Sequence, residues 1–385
     1  MIPYGRQDIR DEDIEAVVEV LRSDYLTQGP CVPRFEHSVC EIVGAAHGVA
    51  VSSATAALHV ACAALGLGPG GLLWTSPVTF VASANCARYC GADVDFVDID
   101  PRSFDLCADA LEAKLVAAER SGRLPDIVVP VHLCGQSCDM RRIHALAQRF
   151  GFRIVEDASH AIGGRYDGEP IGSGRFSDVT VFSFHPVKIV TTGEGGMAVT
   201  NDGELAARMA RLRTHGITRD ADLMERPCEG PWYYEQLELG FNYRLTDLQA
   251  ALGCTQLERL GEYVARREAL ADRYDELLAP FPVRTPWRDP AGRSAWHLYV
   301  VRIPCDGDVP RRVVFERMRE AGIGVNVHYI PVHTQPYYAA MGFRPEQFPE
   351  AMAYYAEAIS LPLHPTLSHD EQDRVVAELA RALSR

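Results

Sequence analysis

Between Asp8 and about Leu260 the chain alternates short apolar runs with longer segments of helical period, and that rhythm leaves few folds open. The runs are GVAVSS, LLWTSP, VDFVDI, DIVVPVH, RIVEDA, VTVFSF and GGMAVT. Over 11–22, 33–44, ATAALHVACAALGL and MRRIHALAQRFG, apolar residues recur three and four apart, as they do along one face of a helix. Runs that are apolar on both faces belong to a sheet covered by helices on both sides, which is largely parallel. The expected fold class is therefore α/β. Residues 245–276 read as one long helical stretch. After it come Pro-rich punctuation, a strand at HLYVVRI, a helix at 310–321 and a terminal helix at 369–383, which describe a smaller α+β unit. The expected division is a large domain over 1–250, with an N-terminal arm, and a small C-terminal domain over 251–385.

A net charge of −14 argues against a partner bound through a phosphate backbone, so no nucleic acid is expected. No apolar run approaches the roughly 18 residues of a membrane span. The start, MIPYGRQDIRDEDI, lacks the basic-then-apolar layout of a signal peptide. The expected location is the cytoplasm, with no membrane partner. Eleven cysteines lie scattered in apolar contexts, which predicts reduced thiols rather than a disulfide framework. Cys134 and Cys138 flank a C-x3-C spacing near His132, but no second ligand pair follows, so no metal is expected. GLGPGG at 66–71 matches a dinucleotide fingerprint only in letters. A helix precedes it and a strand follows, the reverse of the required order, so it reads as a helix end and turn.

Of the 38 basic residues only Lys114 and Lys188 are lysines. Where arginine has taken almost every plain positive charge, a surviving lysine can mark a place that needs an amine. Lys114 sits in ADALEAKLVAAERS and reads as an ordinary surface charge on an amphipathic helix. Lys188 sits in VFSFHPVKIVTTGEGG, an apolar setting where a spare charge is costly. A lysine can form a Schiff base with an aldehyde, and arginine cannot. Lys188 also follows a strand and precedes a Gly-rich turn, where open α/β sheets place ligands.

A pyridoxal ring would need a carboxylate beside its nitrogen. RIVEDASH offers Asp157 at a strand end, with Glu156 pointing to the opposite face. A phosphate needs backbone donors at a helix start, and VSSATAALHV supplies Ser52, Ser53, Ala54 and Thr55 ahead of a helix. Ser183 can add a hydroxyl five residues before Lys188. Phe80, in SPVTFVAS, could stack on a ring but by its context alone reads as core.

Taken together, LTQG, SSATAALH, EDASHAIGG, FSFHPVKIVTTGEGG, GFNYRLTDLQAALG and VHYIPVHTQPYY run in order over nearly the whole chain. In that order they resemble the DegT/DnrJ/EryC1/StrS sugar aminotransferase family. The resemblance implies a fold-type-I transferase that uses pyridoxal 5′-phosphate in a ping-pong transamination. Its substrates would be an amino acid donor, L-glutamate, and a 4-keto-6-deoxy sugar nucleotide of the UDP-linked N-acetylhexosamine type. The nitrogen would go to C4, as in pseudaminic acid biosynthesis. Another C4 or C3 sugar aminotransferase, for example of the aminoarabinose type, and a non-catalytic cofactor-binding regulator are the alternatives.

The resemblance also implies residue roles. Lys188 would carry the cofactor and move the proton, and Asp157 would pair with the pyridine nitrogen. Phe80 would stack on the ring, and His160 would sit near its hydroxyl. Ala54, Thr55 and Ser183 would hold the phosphate, and Asn242 would reach the phosphate of a neighbouring subunit, so a homodimer with shared sites is expected. Tyr4, the segment Asp24, Tyr25, Leu26 and Thr27, and the segment His328, Tyr329, Ile330 and Pro331 would line the sugar-nucleotide pocket. SSAT departs from a common Asn-Ser/Gly-Thr start, which leaves Ser52 without a role. The aperiodic segment 216–238 reads either as a surface loop or as a cover over the partner's sugar-nucleotide site.

Overall fold

The computed structural model describes residues 1–384. The apolar runs form one seven-stranded sheet. Its strands are β1 (His47–Val51), β2 (Leu72–Thr75), β3 (Asp93–Phe96), β4 (Ile127–Val129), β5 (Arg153–Asp157), β6 (Val179–Ser183) and β7 (Gly196–Thr200). The spatial order is β1-β7-β6-β5-β4-β2-β3. From β6 to β3 every pairing is parallel. Strand β7 runs antiparallel to both β6 and β1. That single reversal places the carboxyl ends of β1, β5 and β6 at the edge where β7 begins.

The helices that frame the cores are α1 (Asp11–Leu21), α2 (Cys31–Val43), α3 (Ala54–Ala64), α4 (Ala82–Tyr89), α5 (Ala108–Ser121), α6 (Met140–Phe150), α7 (Gly203–Leu212), α8 (Asp247–Glu258), α9 (Leu260–Leu278), α10 (Arg311–Glu320) and α11 (His369–Leu383). Strand alternation sorts the sheet side chains into different cores. Val49 and Val51 pack in one core with Leu58 and Val60 of α3, whereas Ala50 turns to the core of α2. Likewise Leu73 faces α3 and α4, whereas Leu72 and Trp74 face α5 and α6. Among the described residues no helix is long and apolar enough to cross a membrane.

The stretch 245–276, expected as one helical run, is two helices that meet at Arg259. The Arg259 guanidinium is drawn to Asp13 of α1 at 2.5 Å and to the Tyr263 hydroxyl at 2.9 Å. Helix α9 then passes from the core of the large sheet, at Tyr263 and Val264, to a second core, at Leu270 and Tyr274. That second core lies around β8 (Tyr299–Arg302), paired antiparallel with β9 (Ala358–Leu361), and around α10 and α11. The domain boundary expected after residue 250 falls inside α8.

Lys114 is not the plain surface charge that its helix suggested. Its ammonium bridges α5 to β3, donating to the Phe96 carbonyl at 2.5 Å and pairing with Asp95 at 2.7 Å. It also lies 4.7 Å from the centre of the Trp74 ring. Amphipathic periodicity reports which face is wet, but not how far a long stem reaches along the protein surface.

Phe35 of α2 sits where α8 packs closely against α2. Its ring meets Phe184 edge-on at 4.9 Å. A Cβ on Gly253 of α8 would stand 2.5 Å from that ring, so glycine is what lets α8 approach. Phe35→Ala should cost about 3–5 kcal/mol in denaturant unfolding, the usual range for emptying a phenylalanine site. A loss under about 1 kcal/mol would mean that α2 is not part of the tight core.

Candidate functional site

At the carboxyl edge of the sheet lies a cavity of about 510 Å³. Lys188, Asp157, Ser183, Ala54, Thr55, Phe80 and His160 all face it, although 134 positions separate the first and last of them in the chain (188 − 54). Asp157 ends β5 and Ser183 ends β6, one strand over. Lys188 follows in a short turn, its N–H bonded to the His185 carbonyl at 2.9 Å.

Helix α3 starts at the same edge. Ser53 caps it, its Oγ accepting the Ala56 N–H at 3.1 Å. The Ala54 and Thr55 N–H groups belong to the first turn, which has no intrahelical acceptors, and both residues line the cavity. This is the anion-attracting end of a helix. Gly196, the first residue of β7, is what brings it close. Its Cβ, if it had one, would collide with the backbone of Ser53 and Ala54.

The two carboxylates of RIVEDASH part company as strand alternation requires. Glu156 points away from the cavity and is buried among His132, at 2.6 Å, and the hydroxyls of Ser177 and Thr180. His132 Nδ1 accepts the Cys138 N–H at 3.1 Å, so Nε2 carries the proton given to Glu156. Burial pulls Glu156 upward, but these bonds more than offset it and leave its pKa lowered. Asp157 faces the cavity. Its Oδ1 accepts the Ser159 N–H at 3.1 Å and its Oδ2 accepts the Ser83 hydroxyl at 2.6 Å.

Burial lowers Lys188 to about 8, against a smaller upward pull from Asp157. His160 is pushed well below its ordinary value by burial and by Lys188 and His328. His328 falls to about 3, through burial and the same lysine. His297, 4.4 Å from the His160 ring, is likewise pushed down, chiefly by burial. Three neutral imidazoles therefore surround one amine poised near neutrality. The Tyr329 hydroxyl bonds His160 Nε2 at 3.1 Å, and the Cys134 N–H approaches His160 Nδ1 at 3.3 Å.

Phe80 is 59% exposed, so the core reading of this residue fails. Its ring lies on the cavity wall, 6.2 Å from that of Tyr329. Tyr4, His328 and Tyr329 also line the cavity. Tyr4 arrives because the N-terminal arm pairs Ile2 with Ile323 and its own carbonyl accepts the Leu363 N–H at 3.0 Å. Ile330 is exposed and Pro331 is buried, and neither lines the cavity. Asp24, Tyr25, Leu26 and Thr27 are exposed and stand outside the cavity of the single chain. Asn242 is also exposed, and the rings of its chain neighbours Phe241 and Tyr243 stack on each other. Sequence reasoning missed Thr79, Ser83, His297 and Asn326. Of these only Ser83 carried a local signal, one helical turn beyond Phe80.

Cys134 and Cys138 are free thiols, and Cys138 is buried with its Sγ donating to the Val131 carbonyl at 3.2 Å. Among the described residues no group of three His, Cys, Asp or Glu side chains could hold a metal. The cavity residues do fit pyridoxal phosphate. They offer an amine for its aldehyde, a carboxylate for its ring nitrogen and open helix N–H groups for its phosphate.

Residues 7–380 match the model of the DegT/DnrJ/EryC1/StrS aminotransferase family. The chain is 42% identical over 379 residues to the spore coat polysaccharide biosynthesis protein SpsC of Bacillus subtilis, covering 97% of this chain and 95% of that one. It superposes on Helicobacter pylori PseC, an aminotransferase involved in the biosynthesis of pseudoaminic acid, with a TM-score of 0.91 and 29% identity, over 99% of both chains. The PLP form of Spr1654 of Streptococcus pneumoniae, described as a sugar aminotransferase, superposes with a TM-score of 0.89 and 29% identity, over 99% of this chain and 98% of that one.

With its pKa at about 8, the Lys188 amine is neutral above that pH and protonated below it. Capture of pyridoxal phosphate by the apoprotein needs the neutral amine. Its rate should climb about tenfold per pH unit below 8 and level off above. Stopped-flow absorbance measures this, and a rate still climbing at about pH 10 would mean an ordinary solvated lysine.

Proposed function

This chain belongs to the DegT/DnrJ/EryC1/StrS aminotransferase family, and on that premise we propose that it aminates C4 of a 4-keto-6-deoxy sugar nucleotide of the UDP-N-acetylhexosamine type. The donor is L-glutamate, and the product feeds a pseudaminic acid-type pathway in the cytoplasm. The observation that carries the transaminase reading is the Lys188 amine, near neutrality and facing the same cavity as Asp157. The likeness to PseC supports the substrate class.

Pyridoxal phosphate, when bound, supplies an aldehyde that accepts the amino group and a ring that draws electrons from the reacting carbon. The chain's residues do the rest. Lys188 holds the cofactor covalently and then, as a free amine, takes and returns the proton at the reacting carbon. Asp157 keeps the ring nitrogen protonated. Ala54, Thr55 and Ser183 hold the phosphate at the start of α3, where the helix dipole favours an anion. Phe80, on the cavity wall, would cover one face of the ring. His160, fixed by Tyr329 and the Cys134 N–H, would stand near the ring hydroxyl.

Tyr4, His328 and Tyr329 form the sugar end of the cavity. The expected contributions of Asp24 to Thr27 and of Asn242 lie on the surface of one chain, which supports a homodimer whose partner completes the site. The segment 216–238 is a hairpin, with Ile217–Thr218 paired to Glu235–Gln236. The Glu235 carboxylate holds the middle of the loop to this strand by accepting the Glu225 and Arg226 N–H groups at 2.7 and 3.0 Å. Trp232 stands out at 71% exposure, as expected of a cover for another subunit's pocket.

Lys188→Ala should abolish turnover, and borohydride should then fail to fix the cofactor to the protein. Retained covalent trapping would refute the assignment. A panel of 4-keto sugar nucleotides, read by recovery of absorbance after glutamate bleaching, tests the substrate, and NMR of the product separates C4 from C3. Deleting 222–232 should raise KM for the nucleotide sugar several-fold and leave the cofactor bound. Unchanged kinetics would make the hairpin a plain surface loop.

A further inference from the structure

Asp157 does not stand alone in the cavity. Its Oδ2 accepts a hydrogen bond from Ser83 Oγ at 2.6 Å, and Ser83 Oγ lies 2.7 Å from Thr79 Oγ1. All three side chains are buried, Ser83 completely and Thr79 and Asp157 almost so. Charge fixes the direction of this chain. An ionised carboxylate only accepts, so the single Ser83 proton goes to Asp157, and Thr79 donates to the lone pair that Ser83 leaves open. The hydroxyls of Thr79 and Ser83 therefore form a two-step relay that ends on the carboxylate.

The relay sits on the same short segment as Phe80. Thr79, Phe80 and Ser83 span the turn that opens α4, and Thr79 and Phe80 both line the cavity. One turn of chain thus sets the ring-facing phenyl and the hydroxyl that grips the carboxylate. The Ser159 N–H holds Oδ1 from the other side at 3.1 Å. Gripped at both oxygens, the carboxylate has little freedom to rotate, and each oxygen keeps a lone pair for a further donor.

We infer that Ser83, backed by Thr79, is a positioning residue that holds the Asp157 carboxylate oriented toward the cofactor's ring nitrogen. The inference rests on the proposed pairing of Asp157 with that nitrogen. Without the Ser83 proton a buried carboxylate oxygen loses its side-chain donor, and sharing the ring proton becomes the alternative way to satisfy it. The ring nitrogen then binds its proton less firmly. The loss expected in the glutamate half-reaction is about tenfold, the size that a hydrogen bond to a charged group carries.

The test uses the holoenzyme loaded with cofactor labelled at the ring nitrogen and reads that nitrogen by NMR. The wild type should show a protonated ring nitrogen. Ser83→Ala should move the signal toward the neutral pyridine position with the cofactor still bound, and Thr79→Val should move it the same way by less. In an Asp157→Asn background, Ser83→Ala should cause no further loss of the half-reaction rate. A protonated wild type with an unmoved signal in both hydroxyl variants would overturn the relay and leave the reading of Asp157 standing. Additive losses in the double variant would also overturn it. A neutral ring nitrogen in the wild type would instead overturn the reading of Asp157 itself.

Discussion

A primary amine partly buried at the carboxyl edge of the sheet is the constraint around which the site is arranged. Charge in such a place is costly, so burial brings Lys188 down to about 8 and makes its neutral form accessible. The same lysine, together with burial, keeps His160, His297 and His328 uncharged. The cavity thus contains one amine that can be switched off near neutrality, with the Asp157 carboxylate facing the same space. That is the electrostatic condition for an amine that attacks an aldehyde and afterwards carries a proton.

The sheet topology is what lets the other groups meet this amine. Because β7 runs backward between β1 and β6, the end of β1, the ends of β5 and β6 and the start of β7 share one edge. Gly196 then allows the start of α3 to press against β7, which sets the positive end of a helix beside the lysine. Strand β5 separates two carboxylates by one residue and gives them opposite tasks. Glu156 locks the segment after β4 to β6 through His132 and Thr180, and Asp157 is left for the cavity.

The second unit completes the cavity with His297, His328 and Tyr329, and a buried arginine holds the backbone that carries part of this wall. Arg267 of α9 is fully buried and donates to the carbonyls of Trp296, His297 and Leu363 at 3.2, 3.2 and 2.9 Å. Burial alone lowers it to about 10. Leu363 in turn donates its N–H to Tyr4, and His297 lines the cavity. One guanidinium therefore ties α9 to two cavity walls. Its partners are carbonyls at separations of 29 to 96 residues, which no local pattern in the chain announces.

By itself the sequence determined what depends on near neighbours along the chain. The alternating runs gave the strands and helices, because side-chain period is a local property. The scarcity of lysine singled out Lys188, and the parity of β5 separated Asp157 from Glu156. The ordered motifs, by resemblance, named further positions that the structure brings to the cavity, Tyr4, His160, His328 and Tyr329 among them, and others that it leaves outside. The tertiary structure decided what depends on separation in space. It took Phe80 from the core to the cavity wall and turned Lys114 into a bridge between α5 and β3. It divided the long helix at Arg259, where a carboxylate 246 residues away draws the side chain aside. It also joined Ser83 to Asp157 across 74 residues. Such contacts are set by how helices pack over a twisted sheet, and the spacing of residues along a single segment carries no trace of them.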